Sequence, residues 1–207
     1  MPRKTVSWVV MALLLIGMLT LAFRAQISIK VVKAQPETVL KISPSYATIG
    51  QDGEPIPTTK PVTLSIDVEN VTDLFLWQVV LYYNESILNT REDWMWLPSD
   101  HVFAGKGYNE MPAKTGSDAY GNYIMKSVSL YGTEPTFNGS GVLCKINFTA
   151  TGIPRISHLN FTSPIGTIGG SYETYLSNFD LTDIPASAVE GAVDVKGTST
   201  TKESVSY

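Results

Sequence analysis

Four carboxylate side chains are concentrated in residues 92–110, and paired carboxylates are the groups that hydrolyse glycosidic bonds. Such a site needs one carboxyl group as an acid and a second one facing it across the sugar. Glu92, Asp93, Asp100 and Glu110 supply the residue types. Because acidic loops are common in proteins that catalyse nothing, carboxylates alone do not make an active site. We therefore predict that the protein is not an enzyme.

The same stretch, "REDWMWLPSDHVFAG" (residues 91–105), carries two tryptophans that could bind a ligand. In an extended chain Trp94 and Trp96 share one face while Met95 faces the other way. Exposed aromatic rings stack on sugars and proteins, so the candidate contacts are Trp94, Trp96, Tyr108, Tyr120 and Tyr123. The alternative is that the two tryptophans pack with Leu97, Val102 and Phe103 as an apolar cover over a sheet edge.

Metal ligands are sparse in this sequence. His101 and His158 are the only histidines and stand outside any zinc-binding spacing. Three loops offer oxygen ligands for calcium, but none has EF-hand spacing and Asp and Asn equally serve turns. The loop residues in question are Asp52 with Glu54, Asp118 with Asn122, and Asp180 with Asp183. We predict no cofactor and leave a structural calcium ion open.

Five Asn-X-Ser/Thr sequons indicate an exported glycoprotein. They are Asn70, Asn84, Asn138, Asn147 and Asn160. Asn84 and Asn138 fall in predicted turns, Asn70 falls at a strand end, and Asn147 and Asn160 face outward on predicted strands. All five are therefore candidate glycosylation sites.

The first 34 residues differ in composition from the rest. Arg3 and Lys4 precede an 18-residue apolar run at residues 6–23. Its length lies between that of a signal-peptide core and that of a membrane span. The segment is predicted to be a hydrophobic helix, either cleaved near Ala25 or Ala34 or retained as a membrane anchor. Either alternative places the remainder outside the cell or at its surface.

The exported part is acidic. All nineteen Asp and Glu follow residue 34, against ten of the fifteen Lys and Arg, which gives residues 35–207 a net charge of −9. Because phosphate groups are repelled by such a surface, we predict no nucleic-acid partner. Residues 198–207 are polar and are predicted to be disordered.

Alternating apolar residues predict strands throughout residues 35–197. Val62, Leu64, Ile66 and Val68 share one face, and residues 74–84 are apolar on both faces, as in a central strand. Further strands are predicted at residues 38–43, 122–132, 140–152 and 187–197. The inward residues of the strand at 140–152 are Val142, Cys144, Ile146, Phe148 and Ala150, and Leu159 and Phe161 are predicted to point inward nearby. Glycine and proline separate the strands. The pattern predicts one all-β domain, an antiparallel sandwich or barrel, in which Cys144 is a buried structural residue.

Three segments resemble cohesin domains. They are "VENVTDLFLWQVVLYYNESIL", "FNGSGVLCKINFTATG" and "VEGAVDV", in the order that cohesins have them across residues 38–196. Two departures are that Asn84-Glu85 stands where cohesins carry Asp-Pro and that no dockerin-like calcium loop repeat is present. The sequence is similar to exported archaeal proteins that contain a cohesin domain. The resemblance implies a jelly-roll sandwich of about nine strands. It also implies a scaffold role, in which cohesins bind dockerin-bearing enzymes and related modules bind polysaccharide.

Three functions follow as hypotheses. The first is a noncatalytic cell-surface module that binds a protein partner, dockerin-like or another surface protein, with a possible link to polysaccharide catabolism. Alternation such as Thr63, Ser65 and Asp67 would give it a polar outer face. The second is a carbohydrate-binding module that uses the aromatic residues named above. The third is a structural cell-envelope glycoprotein without a specific ligand.

Overall fold

The structure is a computed structural model that describes residues 36–162 and 173–199. These residues form two β-sheets, with one 3₁₀ turn at Glu92–Trp94. The strands are β1 (Val39–Ser43), β2 (Tyr46–Ile49), β3 (Val62–Leu74), β4 (Leu76–Tyr83), β5 (Leu88–Asn89), β6 (Met95–Trp96), β7 (Tyr108–Asp118), β8 (Gly121–Leu130), β9 (Phe137–Ala150), β10 (Ile156–Phe161), β11 (Tyr175–Ser177), β12 (Ser187–Val189) and β13 (Gly191–Val195).

The six-stranded sheet has the order β12-β1-β3-β9-β5, and β6 also pairs with β9. Its pairs are antiparallel except that β1 and β12 run parallel. Leu64, Ile66 and Val68 on β3 are buried, so the predicted inward face of this strand is confirmed. Their burial against the second sheet removes apolar surface from water, which is the main stabilising contribution of a sandwich core.

The seven-stranded sheet has the order β2-β13-β10-β4-β8-β7. The central strand β4 pairs with β8 along its full length and with both β10 and β11 on its other edge. Trp77, Val79 and Leu81 point into the core and are fully buried. A strand with neighbours on both edges and apolar residues on both faces is what residues 74–84 predicted, and the prediction is confirmed.

The chain changes sheets between β1 and β2. After Ser43 the backbone crosses at Pro44 and Ser45, and β2 continues in the same direction beside β13. Because Val39 pairs near the end of β3, residue 36 lies at the end of the sandwich where β3 passes into β4; we call it the entry end. β13 finishes beside the start of β10, so residue 199 lies at the opposite, exit end.

The prediction for β9 was wrong at one residue. Cys144, Ile146, Phe148 and Ala150 point inward as expected, but Val142 is half-exposed and Leu143 is fully buried in its place. A bulge shifts the register with β3 between Cys144 and Val142, and a shift of one residue moves side chains to the other face. Cys144 is fully buried, and this burial raises the pKa of its thiol.

An all-β sandwich of two sheets is confirmed, but the estimate of about nine strands was too low. Thirteen strands are present in residues 36–162 and 173–199 because β5, β6, β11 and β12 are separate pieces of two or three residues. The predicted hydrophobic helix and residues 200–207 lie outside the described residues. Among the described residues, no helix has the length and apolar character to cross a membrane. Thr198 exchanges backbone hydrogen bonds with Glu54 and Ile56.

Candidate functional site

Residues 91–105 cover the edge of the six-stranded sheet. Met95 pairs with Ile146 and points into the core, whereas Trp96 pairs with Lys145 and lies half-buried on the outer face. Val102 and Phe103 are buried beneath the loop, and Leu97 packs against them at the rim of the core. One face of the half-buried Trp94 ring lies under the Arg91 guanidinium, 4.6 Å from the ring centre. These contacts favour packing over a tryptophan platform.

Of the four carboxylates in this region, Glu92, Asp93 and Glu110 have structural partners. Glu92 accepts a hydrogen bond from the backbone N–H of Thr115 at 3.2 Å, so it caps the edge strand β7. Asp93 forms an ion pair with Arg91 at 2.7 Å. Asp100 lies exposed in the turn that follows β6.

The fourth carboxylate, Glu110, serves a buried lysine. Lys126 extends from β8 on the core side, and its Nζ lies 2.5 Å from Glu110 Oε1. A buried ammonium group without a carboxylate would be strongly destabilising. The geometry therefore gives Glu110 a structural role.

His101 lies beside this ion pair, buried in the loop between β6 and β7. Its Nδ1 accepts a hydrogen bond from the Phe103 N–H at 3.3 Å, and its ring meets the edge of Tyr108 at 5.0 Å. Burial lowers the pKa of His101, although the nearby Glu110 and Asp100 carboxylates oppose the shift. Tyr108 is half-buried by the same packing.

The five aromatic candidates do not form one surface. Trp96 lies on the outer face of the six-stranded sheet, and Tyr108 packs against the core at the start of β7. Tyr123 is only 6% exposed, whereas Tyr120, in the β7–β8 turn, is 83% exposed. Of the five, Tyr120 alone is exposed, whereas the others are half-buried or buried.

A tyrosine network holds that turn. The Tyr82 hydroxyl donates to Asp118 Oδ2 at 2.7 Å, and the Tyr120 N–H donates to Asp118 Oδ1 at 2.8 Å. The hydrogen bond from Tyr82 lowers the pKa of Asp118, and burial together with the same bond raises the pKa of Tyr82. Tyr82 meets Tyr120 and Tyr123 edge-on, with ring centres 6.2 and 5.8 Å apart. The turn is therefore rigid.

The outer face of the six-stranded sheet is polar and largely self-satisfied. Lys41 pairs with Glu69, and Thr63 Oγ1 donates to Asn147 Oδ1 at 2.7 Å. The Ser65 hydroxyl donates to the Ser43 carbonyl oxygen at 3.3 Å. Most of these polar groups are paired and the unpartnered Asp67 Oδ1 is buried, so this face has few free groups to offer a partner.

The outer face of β4, β8 and β7 has a different character. Met111 lies beside Ser127, and Lys114 beside Met125, with a bulge containing Pro112 between the two pairs. The bulge opens a pit of about 260 Å³ whose lining residues are Gln78, Met111, Pro112, Lys114, Met125, Lys126 and Ser127. Met111 is 52% exposed. We call this surface the methionine face.

The sequon asparagines are accessible to different degrees. Asn70, Asn84, Asn138 and Asn160 are exposed and Asn147 is half-buried. The Asn84 side chain accepts hydrogen bonds from both the N–H and the hydroxyl of Ser86, at 2.9 and 2.7 Å. Use of the five sites stays a prediction.

The three candidate calcium pairs lie in separate loops. Asp118 is occupied by Tyr82 and Tyr120, and the Asp183 backbone bridges Ser177 in a turn. Within residues 36–162 and 173–199, no cluster of three or more acidic, histidine or cysteine side chains could hold a metal ion. The donor sets therefore fit turns better than a calcium site.

Comparisons with solved structures decide the fold. A non-cellulosomal cohesin from the archaeon Archaeoglobus fulgidus superposes with a TM-score of 0.50 and 12% identity, over 81% of this chain and 94% of that one. A type II cohesin domain from the cellulosome of Acetivibrio cellulolyticus gives 0.52 and 14%, over 76% and 95%. The domain has a cohesin-like fold.

A third similar structure contains a partner. The type I cohesin–dockerin complex Coh-OlpC-Doc435 from Clostridium thermocellum matches the cohesin-like domain with a TM-score of 0.50 and 15% identity, over 77% of this chain and 94% of that one. No protein-family model matches the sequence, and no curated protein gives a significant match. The resemblance read from three sequence segments is confirmed at the level of fold.

The methionine face and Tyr82 were missed as candidates from the sequence. The sequence did contain a signal for Tyr82. Side chains alternate along β4, so if Trp77 points into the main core, Val80 and Tyr82 point to the opposite face. Met111 and Met125 carry no such signal. They meet only because β7 and β8 pair with a bulge.

Proposed function

We propose that the cohesin-like domain is a noncatalytic module that binds a protein partner through its methionine face. The observation that carries the proposal is the pit at the β7 bulge, which is apolar at its walls and polar at its floor. Met111, Met125 and Pro112 form the walls, while Gln78 and Ser127 lie deeper and are nearly buried. A pit of this kind accepts one apolar anchor side chain, which is how binding hot spots are built.

The surroundings of the pit also suit a protein interface. Flexible methionines adapt to the shape of a partner. The exposed Lys114 supplies a polar, hydrogen-bonding group at the rim. None of the five sequons lies on β7 or β8. By contrast Asn147 lies on the outer face of the six-stranded sheet, where a glycan would cover it.

The similar structures support a protein as the partner. The Clostridium thermocellum structure is a complex between a cohesin and a dockerin. A dockerin-like module, or another surface protein, is thus the partner class we propose for the cohesin-like domain. Any link to polysaccharide breakdown would come through an enzyme attached to that partner.

The setting is the outside of the cell, on the basis of the N-terminal apolar run and the five sequons. Residues 6–23 would attach the protein to the membrane if they are retained. Catalysis by the domain itself is not proposed, because Glu92, Asp93 and Glu110 are used for the structural contacts described above.

Binding of the full chain to a panel of purified dockerin modules tests the proposal. We expect at least one module to bind and Met111→Asp to weaken it about tenfold or more, because a charge would be desolvated at the pit. Val189→Asp is the matched control, since Val189 is an apolar residue that is 45% exposed on the other sheet. Equal binding by wild type and Met111→Asp would show that the methionine face is not the interface. Absence of binding to every module would favour a structural envelope protein or an unrelated partner.

A further inference from the structure

A second surface lies at the exit end of the seven-stranded sheet. A groove of about 380 Å³ runs between the end of β4, the β7–β8 turn and the start of β10. The side chains that shape it are Tyr82, Asn84, Tyr120, Asn122, His158 and Asn160. Its volume falls in the range of roughly 300–1,000 Å³ that is usual for small-molecule sites.

The chemistry of the groove favours a neutral, hydroxyl-rich ligand. None of the described residues that line it is Lys, Arg, Asp or Glu. The Asn122 amide offers both donors and acceptors, which is what sugar hydroxyl groups need. The Asn84 NH₂ group adds a donor, whereas its Oδ1 already accepts hydrogen bonds from Ser86, and the Asn160 amide lies beside Glu190. A phosphate or nucleic-acid ligand would require cationic side chains. The pit of the methionine face, in contrast, has the exposed Lys114 in its lining.

Tyr120 is an exposed ring on a turn whose backbone is already held in place. Asp118 fixes both its backbone N–H and the hydroxyl of Tyr82, and the Tyr82 ring meets Tyr120 at an interplanar angle of 76°. Because this ordering exists before a ligand arrives, binding would not have to supply its entropy cost. An exposed aromatic ring on a rigid turn next to polar amides has the composition of a sugar-stacking site.

We propose that this groove binds a neutral saccharide. The ring of Tyr120 stacks on the C–H face of a sugar unit, and the Asn122 amide and the Asn84 NH₂ group bond its hydroxyl groups. The site differs from a Trp94 and Trp96 platform, which the packing of those residues disfavours. It does not rest on protein docking at the methionine face.

Two of the groove asparagines, Asn84 and Asn160, are also sequons. A glycan attached to either one would lie in the groove and compete with an external sugar. The test therefore uses full-length protein made in a host without N-glycosylation.

The experiment measures binding of neutral hexasaccharides of glucose, xylose and mannose, and of an acidic hexagalacturonate, by saturation-transfer NMR and calorimetry. We expect at least one neutral probe to bind and Tyr120→Ala to weaken that binding about tenfold. Tyr120→Phe keeps the ring and should retain binding within about threefold. Tyr131→Ala is the matched control, because Tyr131 is 56% exposed at the entry end, and it should bind as wild type does.

The proposal would be overturned if no neutral probe bound at about 10 mM, if Tyr120→Ala bound as the wild type does, or if Tyr131→Ala lost binding equally. Preference for the acidic probe would also overturn it. Measuring dockerin binding by the same variants distinguishes the two sites. Tyr120→Ala should lose saccharide binding and keep dockerin binding, whereas Met111→Asp should lose dockerin binding and keep saccharide binding.

Discussion

His101 is a buried residue whose protonation is coupled to folding. The groups that face it are the Tyr108 ring, the carboxylates of Glu110 and Asp100, and Lys126 through its ion pair with Glu110. Burial is the dominant influence and lowers the pKa of His101 below its usual value near 6.5. The accepting role of its Nδ1 also requires the neutral ring.

The pH dependence of stability follows from this shift. The unfolded chain takes up a proton near pH 6.5, whereas folded His101 does so only at lower pH. The contribution of neutral His101 to the free energy of unfolding is therefore complete above pH 6.5. It is lost as the pH falls through the pKa of His101 in the folded protein. We expect the free energy of unfolding, measured in urea between pH 7.5 and 5, to decline less in His101→Gln than in wild type. A decline in His101→Gln as steep as that of the wild type would contradict the expectation.

Individual residues were predictable from the sequence only where local alternation fixes them. Cys144 and Leu64 were placed in the core because each stands in a run of alternating apolar residues. The ion pair of Lys126 with Glu110 was not predicted. A lysine at an inward position contradicts the alternation, and its partner belongs to another strand. The hydrogen bond of Tyr82 with Asp118 joins residues 36 positions apart, which periodicity cannot detect.

At the scale of elements, the β2–β3 loop is bound to residues 196–198, which follow β13. Gly50 has φ +86°, and a Cβ there would lie 2.2 Å from the backbone oxygen of Lys196. Gly53 in the same loop has φ +84° but open space around it. The two glycines thus separate the cost of the backbone conformation from the cost of a steric clash.

Alanine substitutions at Gly50 and Gly53 test whether the steric clash adds to the cost of the backbone conformation. Gly53→Ala should lower the free energy of unfolding by about 1–2 kcal/mol, the cost of a left-handed conformation for a residue with a side chain. Gly50→Ala should cost about 2–4 kcal/mol, because the loop or the strand end must also move. Urea denaturation of both variants measures the difference. Similar losses in the two proteins would show that the Lys196 contact is not restrictive.

Strand positions were predicted better than strand pairing. The alternation in β3 and the apolar faces of β4 located these strands and their inward residues. The bulges in β7 and β9 were not predicted, because a bulge depends on which strand lies alongside. Both sites that we propose depend on such pairings: the pit on the β7 bulge, and the groove on β10 lying beside β4.

At the scale of the whole molecule, the two proposed sites occupy different parts of one sheet. The methionine face lies on β7 and β8, and the saccharide groove lies at the exit end beside β10. The all-β class was predictable from turn-separated alternation. The division of thirteen strands between two sheets was not, since it arises from contacts between segments far apart in the sequence.

The opposite positions of residues 36 and 199 give the domain a mechanical character. A pull between these residues is directed along the strands, so β1 and β13 must slide lengthwise past β3 and β10. Their ladder hydrogen bonds then carry the load together instead of opening one after another.

Single-molecule pulling tests this expectation. Handles at residues 36 and 199 should require a higher unfolding force than handles at residues 36 and 132, because Gly132 lies at the entry end with residue 36. Equal forces for the two geometries would contradict it. With this arrangement of strands, the domain would resist unfolding when tension is applied through the segments on either side of it.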